Sequence, residues 1–284
     1  MSDTPKLDLD HLRGWIGREE VACEPVTAAL VQRFHATFDE EPGAPAEGEA
    51  APRGIHLCLA PPAVPMHALG PDGHPARGGF LPPVPLPRRM WAGGEFVFEG
   101  DLKVGDTMRR TSRVEDLSIK EGRTGTLCFV TVRHTIAAGE RTVLTERQDI
   151  VYRGLDAPGG TARALPAAAE GEFRREVDPT PALLFRYSAL TFNGHRIHYD
   201  QPYVTREEGY PGLVVHGPLQ ATLLYRFAAE TLGRPPARFS FRGLSPLFDT
   251  GPFLLHAREE AAGAARLWTA APGGPQAMVA EAHA

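Results

Sequence analysis

Five side chains that can hold, move or orient a proton lie within eight consecutive positions of the second half of the chain. They are Asn193, His195, His198, Tyr199 and Asp200. A histidine in a partly apolar loop can titrate near neutrality and serve as a general base or a general acid. This spacing therefore predicts a loop that transfers protons.

A second segment, VVHGP at positions 214–218, opens an apolar stretch with helical spacing. The first backbone N–H groups of a helix have no partner inside the helix and lie at the positive end of its dipole, so they can polarise a carbonyl oxygen. We expect Gly217 to supply such a group, with His216 beside it. A proton-transfer loop and an oxyanion site together suit chemistry alpha to a carbonyl.

The segment 187–198, YSALTFNGHRIH, resembles the active-site signature of MaoC-like and R-specific enoyl-CoA hydratases, approximately F-A-A-L-S-G-D-x-N-P-I-H. The later V-H-G at 215–217 resembles the A-H-G that opens the central helix in that family. The variant TFNGHRIHYD, with LGPDGHPARGGFLPPVPLPRRMWAGG at 69–94 and TERQDIVYR at 145–153, is similar to one branch of it. That branch contains mitochondrial 3-hydroxyacyl-thioester dehydratases and the 3-methylfumaryl-CoA (mesaconyl-C4-CoA) and itaconyl-CoA hydratases.

The resemblance implies a role for each matched position. His198 aligns with the catalytic histidine, and Gly217 aligns with the glycine whose N–H faces the thioester oxygen. His195 falls where the family often has an asparagine that orders the loop. Asn193 falls where the wider family has a catalytic aspartate, and an amide cannot exchange protons as a carboxylate does. Three alternatives stay open: Asn193 only positions the water, Asp200 shares the proton work, or His198 acts alone.

Further residues are candidates for support and substrate binding. Tyr199, His195 and His216 are supporting candidates, although either histidine could instead be a hydrogen-bonded structural residue. Other candidates could bind the CoA phosphate or a substrate carboxylate, since an arginine fork suits both anions; they are Arg88, Arg89, Trp91 and Arg196. As alternatives to substrate binding, Arg88, Arg89 and Trp91 could belong to a surface loop, and Arg196 could pair with Asp200 to hold the motif loop. We expect no metal site and no cofactor, because CoA is part of the substrate.

The expected fold is α+β, and the resemblance implies two hot-dog domains in one chain. Residues 1–155 would form a non-catalytic domain that accommodates the substrate, and residues 156–284 would form the catalytic domain. The patterns that support this organisation predict helices at 27–39, 181–189 and Gly217–Leu232, a long loop at 70–94, three or four strands within 95–152, a connector at 154–172, and strands at 237–248, 252–260, 264–271 and 276–282. Each half is therefore expected to begin with a helix and to continue with strands.

Composition narrows the class of protein. The chain has 284 residues, 42% hydrophobic residues and a formal net charge of -5, which is typical of a soluble globular protein and gives no sign of nucleic-acid or membrane binding. The N-terminus lacks the apolar core of a signal peptide, and the 3 cysteines form no disulfide framework. We expect a cytoplasmic protein, and pairing of hot-dog domains makes a homodimer the expected assembly.

The function that these features indicate is reversible hydration of an enoyl-CoA thioester, with a short or branched, dicarboxylic acyl group such as 3-methylfumaryl. One alternative keeps the enzyme class and moves the substrate to the 3-hydroxyacyl-ACP of fatty acid synthesis. Another alternative, motivated by Asn193, is a non-catalytic protein that binds acyl-CoA. A hot-dog thioesterase is a further alternative.

Overall fold

The computed structural model describes residues 7–122, 125–154 and 165–284. Its α-helices are α1 (Leu9–Arg13), α2 (Ala28–Thr37), α3 (Pro181–Leu190), α4 (Gln201–Arg206) and α5 (Gly217–Leu232). Its strands are β1 (Glu19–Pro25), β2 (Arg88–Phe98), β3 (Thr107–Gly122), β4 (Gly125–Ala138), β5 (Arg141–Arg153), β6 (Phe173–Val177), β7 (Arg238–Gly243), β8 (Phe253–Ala261), β9 (Ala264–Ala270) and β10 (Gln276–His283). Short 3-10 helices occupy Ile55–Cys58, Met66–Ala68 and Arg196–His198. These elements confirm the predicted α+β class.

The described strands form one ten-stranded antiparallel sheet in the order β1-β3-β4-β5-β2-β7-β10-β9-β8-β6. The five strands that precede the connector therefore lie on one side of the β2–β7 contact, and the five that follow it lie on the other. The predicted domain boundary at residue 155 lies outside the described residues.

Two adjacent glycines allow the two halves to join. Gly93 and Gly94 pair with β5 on one side and with β7 on the other, just after a bulge at Trp91/Gly93. A Cβ at Gly93 would lie 2.6 Å from the carbonyl oxygen of Phe241, and a Cβ at Gly94 would overlap the carbonyl oxygen of Arg147. Three strands can approach here because no side chain separates their backbones.

The long helix of the second half forms as its sequence predicts. Pro218 lies in the first turn, where a missing N–H costs nothing, and Gly233 ends α5 with φ 67°. Leu219 and Leu224 are buried, and α5 packs against β8, β9 and β10. The predicted apolar stripe of this helix is thus part of the core.

The first half has a shorter helix over its sheet. Thr27 caps α2, its hydroxyl accepting from the N–H of Leu30 at 3.1 Å, but α2 has only 10 residues against 16 in α5. Part of the inner face of β4 and β5 is therefore left for a cavity.

Two expectations about the elements were wrong. β2 begins at Arg88, inside the segment expected to be a loop, because its ladder with β5 holds this Gly-rich and Pro-flanked stretch in place. The second half begins with a strand, because β6 precedes α3, and in the first half the short helix α1 and the strand β1 both precede the predicted helix α2. Both missed strands lie at the ends of the sheet and are mostly exposed, so they carry no alternation of buried and exposed positions. Residues 155–164 of the expected connector lie outside the described residues.

Candidate active site

A cavity of about 1390 Å³ lies between the motif loop and the inner face of the first-half strands. Its lining from the second half includes Asn193, His195, His198 and Gly217. Its lining from the first half includes His74, Arg89, Trp91 and Tyr152. Both halves therefore contribute side chains to one space.

The short 3-10 helix Arg196–His198 places His198 in the wall of this cavity. Its Nδ1 donates a hydrogen bond of 2.7 Å to the carbonyl oxygen of Val214, and a carbonyl can only accept. The proton therefore resides on Nδ1, and Nε2 carries a lone pair. Burial lowers the pKa of His198 to about 4, with the Val214 carbonyl opposing that fall and the charge of His74 adding to it. A neutral imidazole of this kind is a general base at neutral pH.

The ring of His198 stacks on the ring of His216, with 3.6 Å between the ring centroids. His216 caps the start of α5, and its Nε2 lies 2.8 Å from the hydroxyl of Ser188. Gly217 follows as the first residue of α5, so a helix-terminal N–H lies next to the imidazole pair. The candidate base and the candidate oxyanion donor converge on the same cavity.

Gly217 packs directly against Trp91. A Cβ at residue 217 would lie 3.2 Å from Cε3 of the indole ring. Trp91 also stacks on Phe241, with 4.5 Å between the ring centroids. The indole therefore fixes the start of α5 and forms a wall of the cavity.

Asn193 and His195 shape the motif loop. The side-chain oxygen of Asn193 accepts the N–H of His195 at 3.0 Å, and the preceding Phe192 has φ 50°. The His195 ring lies 4.1 Å from the ring of His74 and 5.4 Å from that of His198. Burial, with the charges of His74 and His198, lowers the pKa of His195 to about 2.

Asp200 holds the loop together. Its carboxylate accepts from the guanidinium of Arg196 at 2.9 Å and from the N–H of Tyr203 at 3.1 Å, where it caps α4. The hydroxyl of Tyr199 donates to the carbonyl oxygen of Gly194 at 3.0 Å. The lining of the cavity includes Arg196 and Tyr199, but the Arg196 guanidinium is engaged by Asp200 and the carbonyl of Pro71. The expected Arg196–Asp200 pair is present.

The two neighbouring arginines of β2 face opposite sides of the strand. Arg88 pairs with the carboxylate of Glu208 at 3.3 Å and donates to the Glu208 carbonyl oxygen at 3.0 Å. Arg89 lines the cavity, opposite Tyr152 in the ladder. Of these two candidates, the structure brings only Arg89 to the site, because successive residues of a strand point to opposite faces.

Sequence reasoning missed Asp72 and His74, which reach the site from the first half. Nδ1 of His74 lies 3.2 Å from the carboxylate of Asp72, and the Asp72 carbonyl oxygen accepts the N–H of Arg196 at 2.9 Å. A Cβ at Gly73 would overlap the carbonyl oxygen of Gly194, so glycine permits this close contact. The Asp-Gly-His turn within 69–94 was the signal available.

Asp72, His74 and His195 could approach a metal ion, since their ligand atoms all lie within 4.8 Å of one another. Against this, the Asp72 carboxylate already binds His74, and the positive charge of Arg89, which acts on both histidines, would repel a cation. The arrangement suits a hydrogen-bonded polar cluster better than a cation site. The expectation of no metal stays a prediction.

A second polar pair that sequence reasoning missed lies at another part of the cavity wall. Nε2 of His56 and the carboxylate of Glu146 are 3.7 Å apart, and both side chains are buried. Burial raises the pKa of Glu146 to about 7 and lowers that of His56 to about 3. Neither residue stood out in the sequence, because strand and loop positions only meet through the fold.

Comparison with known proteins identifies the family. The family model described as hydroxyacyl-thioester dehydratase type 2 matches residues 54–249. The chain belongs to this hydroxyacyl-thioester dehydratase family. It is 47% identical over 246 residues to a mesaconyl-C(4)-CoA hydratase of Chloroflexus aurantiacus, an alignment that covers 86% of this chain and 88% of the relative.

Solved structures agree on the fold. A MaoC-like dehydratase from Phytophthora capsici matches with a TM-score of 0.69 and 16% identity, covering 98% of this chain and 99% of that one. A Mycobacterium tuberculosis protein described as a double hot-dog fold matches with a TM-score of 0.56 and 15% identity, covering 94% and 95%. The predicted double hot-dog fold and the predicted resemblance are both confirmed.

Membership in the hydroxyacyl-thioester dehydratase family also confirms the expected enzyme class, the hydratases and dehydratases that break or form a carbon–oxygen bond. Across the described part of the chain, none of the helices has the length and apolarity needed to cross a bilayer.

Proposed function

We propose that this protein reversibly adds water to the double bond of an enoyl-CoA thioester, with a short acyl group that carries a carboxylate. The observation that carries the proposal is the stacking of the His198 base on His216, the residue before the free helix terminus at Gly217. A hydratase needs a base for water and a donor for the thioester oxygen, and these two groups meet in one cavity.

The reaction proceeds in two steps, addition of water to the β carbon and protonation of the α carbon. Nε2 of His198 takes a proton from water, the water oxygen bonds to the β carbon, and the π electrons of the double bond move through the α carbon to the thioester oxygen. The N–H of Gly217 donates to that oxygen, a contribution typically of about 3–4 kcal/mol. The enolate then collapses, and the α carbon takes the proton back from the His198 imidazolium. A positioned base of this kind contributes roughly 10²–10⁴ in rate.

The low pKa of His198 suits this cycle. The residue is neutral at pH 7 and becomes an imidazolium only for the lifetime of the enolate, so it returns its proton readily. Asn193 stabilises the loop through the His195 N–H and exchanges no proton itself. Asp200 is occupied by Arg196 and by the cap of α4, which favours the mechanism with one base over the alternative in which Asp200 shares the work.

The carboxylate-bearing acyl group is supported by the relative from Chloroflexus aurantiacus, which is named for mesaconyl-C(4)-CoA. The alternatives keep distinct signatures: a carrier-protein dehydratase prefers 3-hydroxyacyl-ACP, a thioesterase releases free thiol, and a non-catalytic binder holds CoA esters without turnover.

The test is incubation of the purified protein with mesaconyl-C4-CoA, itaconyl-CoA and crotonyl-CoA while the enoyl-thioester absorbance is followed. We expect loss of absorbance without release of free thiol, and we expect CoA esters to be preferred over ACP esters. Absence of hydration on every thioester would refute the proposal.

The organisation of the protein follows from the same proposal. Residues 156–284 would carry the catalytic base and the oxyanion donor, while residues 1–155 would accommodate the acyl group. Each step uses a residue of the chain, so the mechanism requires neither a metal nor a cofactor. A cytoplasmic location and a homodimer complete the proposal, and sedimentation measures the assembly.

A further inference from the structure

Among the residues that the structure describes, Arg89 has no acidic partner. Its side chain is half-buried on the cavity face of β2, and across the described ranges no carboxylate lies within ion-pair distance of it. The neighbouring arginines differ. Arg88 pairs with Glu208. The guanidinium of Arg77 donates hydrogen bonds to the carbonyl oxygens of Val84, Leu86 and Pro87. A guanidinium that faces a cavity without a counter-charge is arranged for an anion from outside the chain.

A second side chain that can donate a hydrogen bond lies opposite Arg89 in the ladder. Tyr152 is its cross-strand neighbour on β5, is fully buried and lines the same cavity. Its hydroxyl makes no hydrogen bond of good geometry in the described part of the chain, although the Arg89 guanidinium is close enough to interact with it. Burial raises the pKa of Tyr152, and the nearby Arg89 guanidinium opposes that rise. A buried hydroxyl is rarely left unpaired, so this one also indicates a ligand.

Arg89 lies close to the reacting end of the cavity. Its positive charge acts on the rings of His74 and His195, and the His195 ring is 5.4 Å from that of His198. A group bound by Arg89 would therefore lie near the carbon that water attacks, not at the distant CoA phosphates.

We propose that Arg89 and Tyr152 form a carboxylate subsite that selects enoyl thioesters with a free carboxylate on the β carbon. This inference rests on the proposed hydratase function and deepens it by naming the residues that choose the substrate. A β-carboxylate is negative beside the carbon that must accept the water oxygen. The guanidinium offsets that charge, and its planar fork matches the two carboxylate oxygens.

The test compares a substrate with the carboxylate against one without it. Fumaryl-CoA carries the carboxylate on the β carbon, and crotonyl-CoA has a methyl group in the same place. We expect the wild-type protein to favour fumaryl-CoA in kcat/KM. Arg89→Met lowers kcat/KM for fumaryl-CoA by about 10²-fold or more and changes that for crotonyl-CoA by less than about threefold, because a site built for hydrogen bonding loses discrimination when its donor is removed.

Three further variants keep the test decisive if Arg89→Met fails to fold. Arg89→Lys retains the charge and loses the fork, with an expected intermediate loss on fumaryl-CoA of about tenfold. Tyr152→Phe removes one oxygen at nearly constant volume and lowers kcat/KM only for fumaryl-CoA. Arg88→Met is the matched control: it removes the adjacent guanidinium on the other face, and the ratio of kcat/KM values for the two substrates stays at its wild-type value.

The outcomes separate this inference from the proposed function. Hydration of crotonyl-CoA with no preference for fumaryl-CoA overturns the subsite and leaves the hydratase intact. Equal losses on both substrates in Arg89→Met and Tyr152→Phe also overturn it, since they show a purely structural role. Inactivity of the wild-type protein on both substrates refutes the hydratase function itself.

Discussion

Replacement of His198 by glutamine tests the base directly. Glutamine approximates the length of the imidazole and can still donate to the Val214 carbonyl, but it cannot take a proton from water. Since a positioned general base contributes roughly 10²–10⁴ in rate, we expect kcat to fall by about that factor. The loop should persist, because the Asn193–His195 and Arg196–Asp200 contacts do not involve His198.

The pH dependence of the wild-type protein gives a second measure of the same group. Burial lowers the pKa of His198 to about 4, so at pH 7 the neutral form exceeds the imidazolium by about three orders of magnitude. The kcat/KM for hydration should therefore stay level from pH 8 down to about pH 5. It should fall about tenfold per pH unit only below about pH 4, where the base becomes protonated.

The assay is the initial rate of loss of enoyl-thioester absorbance between pH 4 and pH 8, with circular dichroism at each pH to confirm that the protein remains folded. His283→Gln is the matched control, because this histidine is exposed at the end of β10. A rate that falls with a midpoint near pH 6.5 would show an ordinary exposed imidazole and contradict the buried base. Wild-type kcat in His198→Gln would likewise remove His198 from the mechanism.

Three further predictions follow from the structure. Gly217→Ala brings a Cβ to 3.2 Å from the indole ring that packs on it. We expect kcat to fall by about ten- to a hundredfold and Tm to fall slightly. An unchanged kcat would contradict an oxyanion role for this N–H. Asn193→Asp keeps an acceptor for the motif loop and adds a negative charge that favours the imidazolium of His198. Activity at pH 7 should stay within about tenfold of the wild-type value, while the fall of kcat/KM in acid moves to higher pH. A collapse in activity would show that the amide itself matters. Burial lowers the pKa of both His134 and His198 to about 4, so below about pH 6.5 the unfolded chain takes up protons at these positions that the native protein does not. Burial also raises the pKa of Glu146, which makes the native protein take up one proton before the unfolded chain does and so offsets one of the two histidines. The free energy of unfolding should therefore fall from pH 6.5 to pH 4, and urea titrations that show a constant or rising midpoint over that range would contradict this.

Much of the second half could be predicted from the sequence because the signals there are local. Pro218 and Gly233 bound α5, and the stripe that includes Leu219 and Leu224 selects its buried face. The three histidines that the second half contributes to the site, His195, His198 and His216, lie in two short segments. Alternation is also a local signal: in β4 of the first half, Val130, Val132 and Ile136 alternate with polar residues and are buried.

The first half was harder, since its signals are weak or depend on register. β1 is an exposed edge strand without an apolar pattern, as is β6 of the second half, and β2 begins within a Pro- and Gly-rich segment. Nothing in the pair Arg88–Arg89 says which guanidinium enters the cavity. The ladder with β5 decides it, because a shift of one residue would exchange the two faces.

The sequence by itself determined which groups are available: a candidate base at His198, a helix terminus at Gly217, and an amide at Asn193 where the resemblance implies an acid. Only the tertiary structure decided what these groups meet. It buries the imidazoles and so lowers their pKa values, brings Asp72 and His74 from a loop more than a hundred positions away, and leaves Arg89 without an acidic partner in the described chain. The physical reason is that residue types and their spacing are properties of the sequence, whereas the burial, the protonation state and the hydrogen-bond partners of a side chain depend on which distant segments pack together.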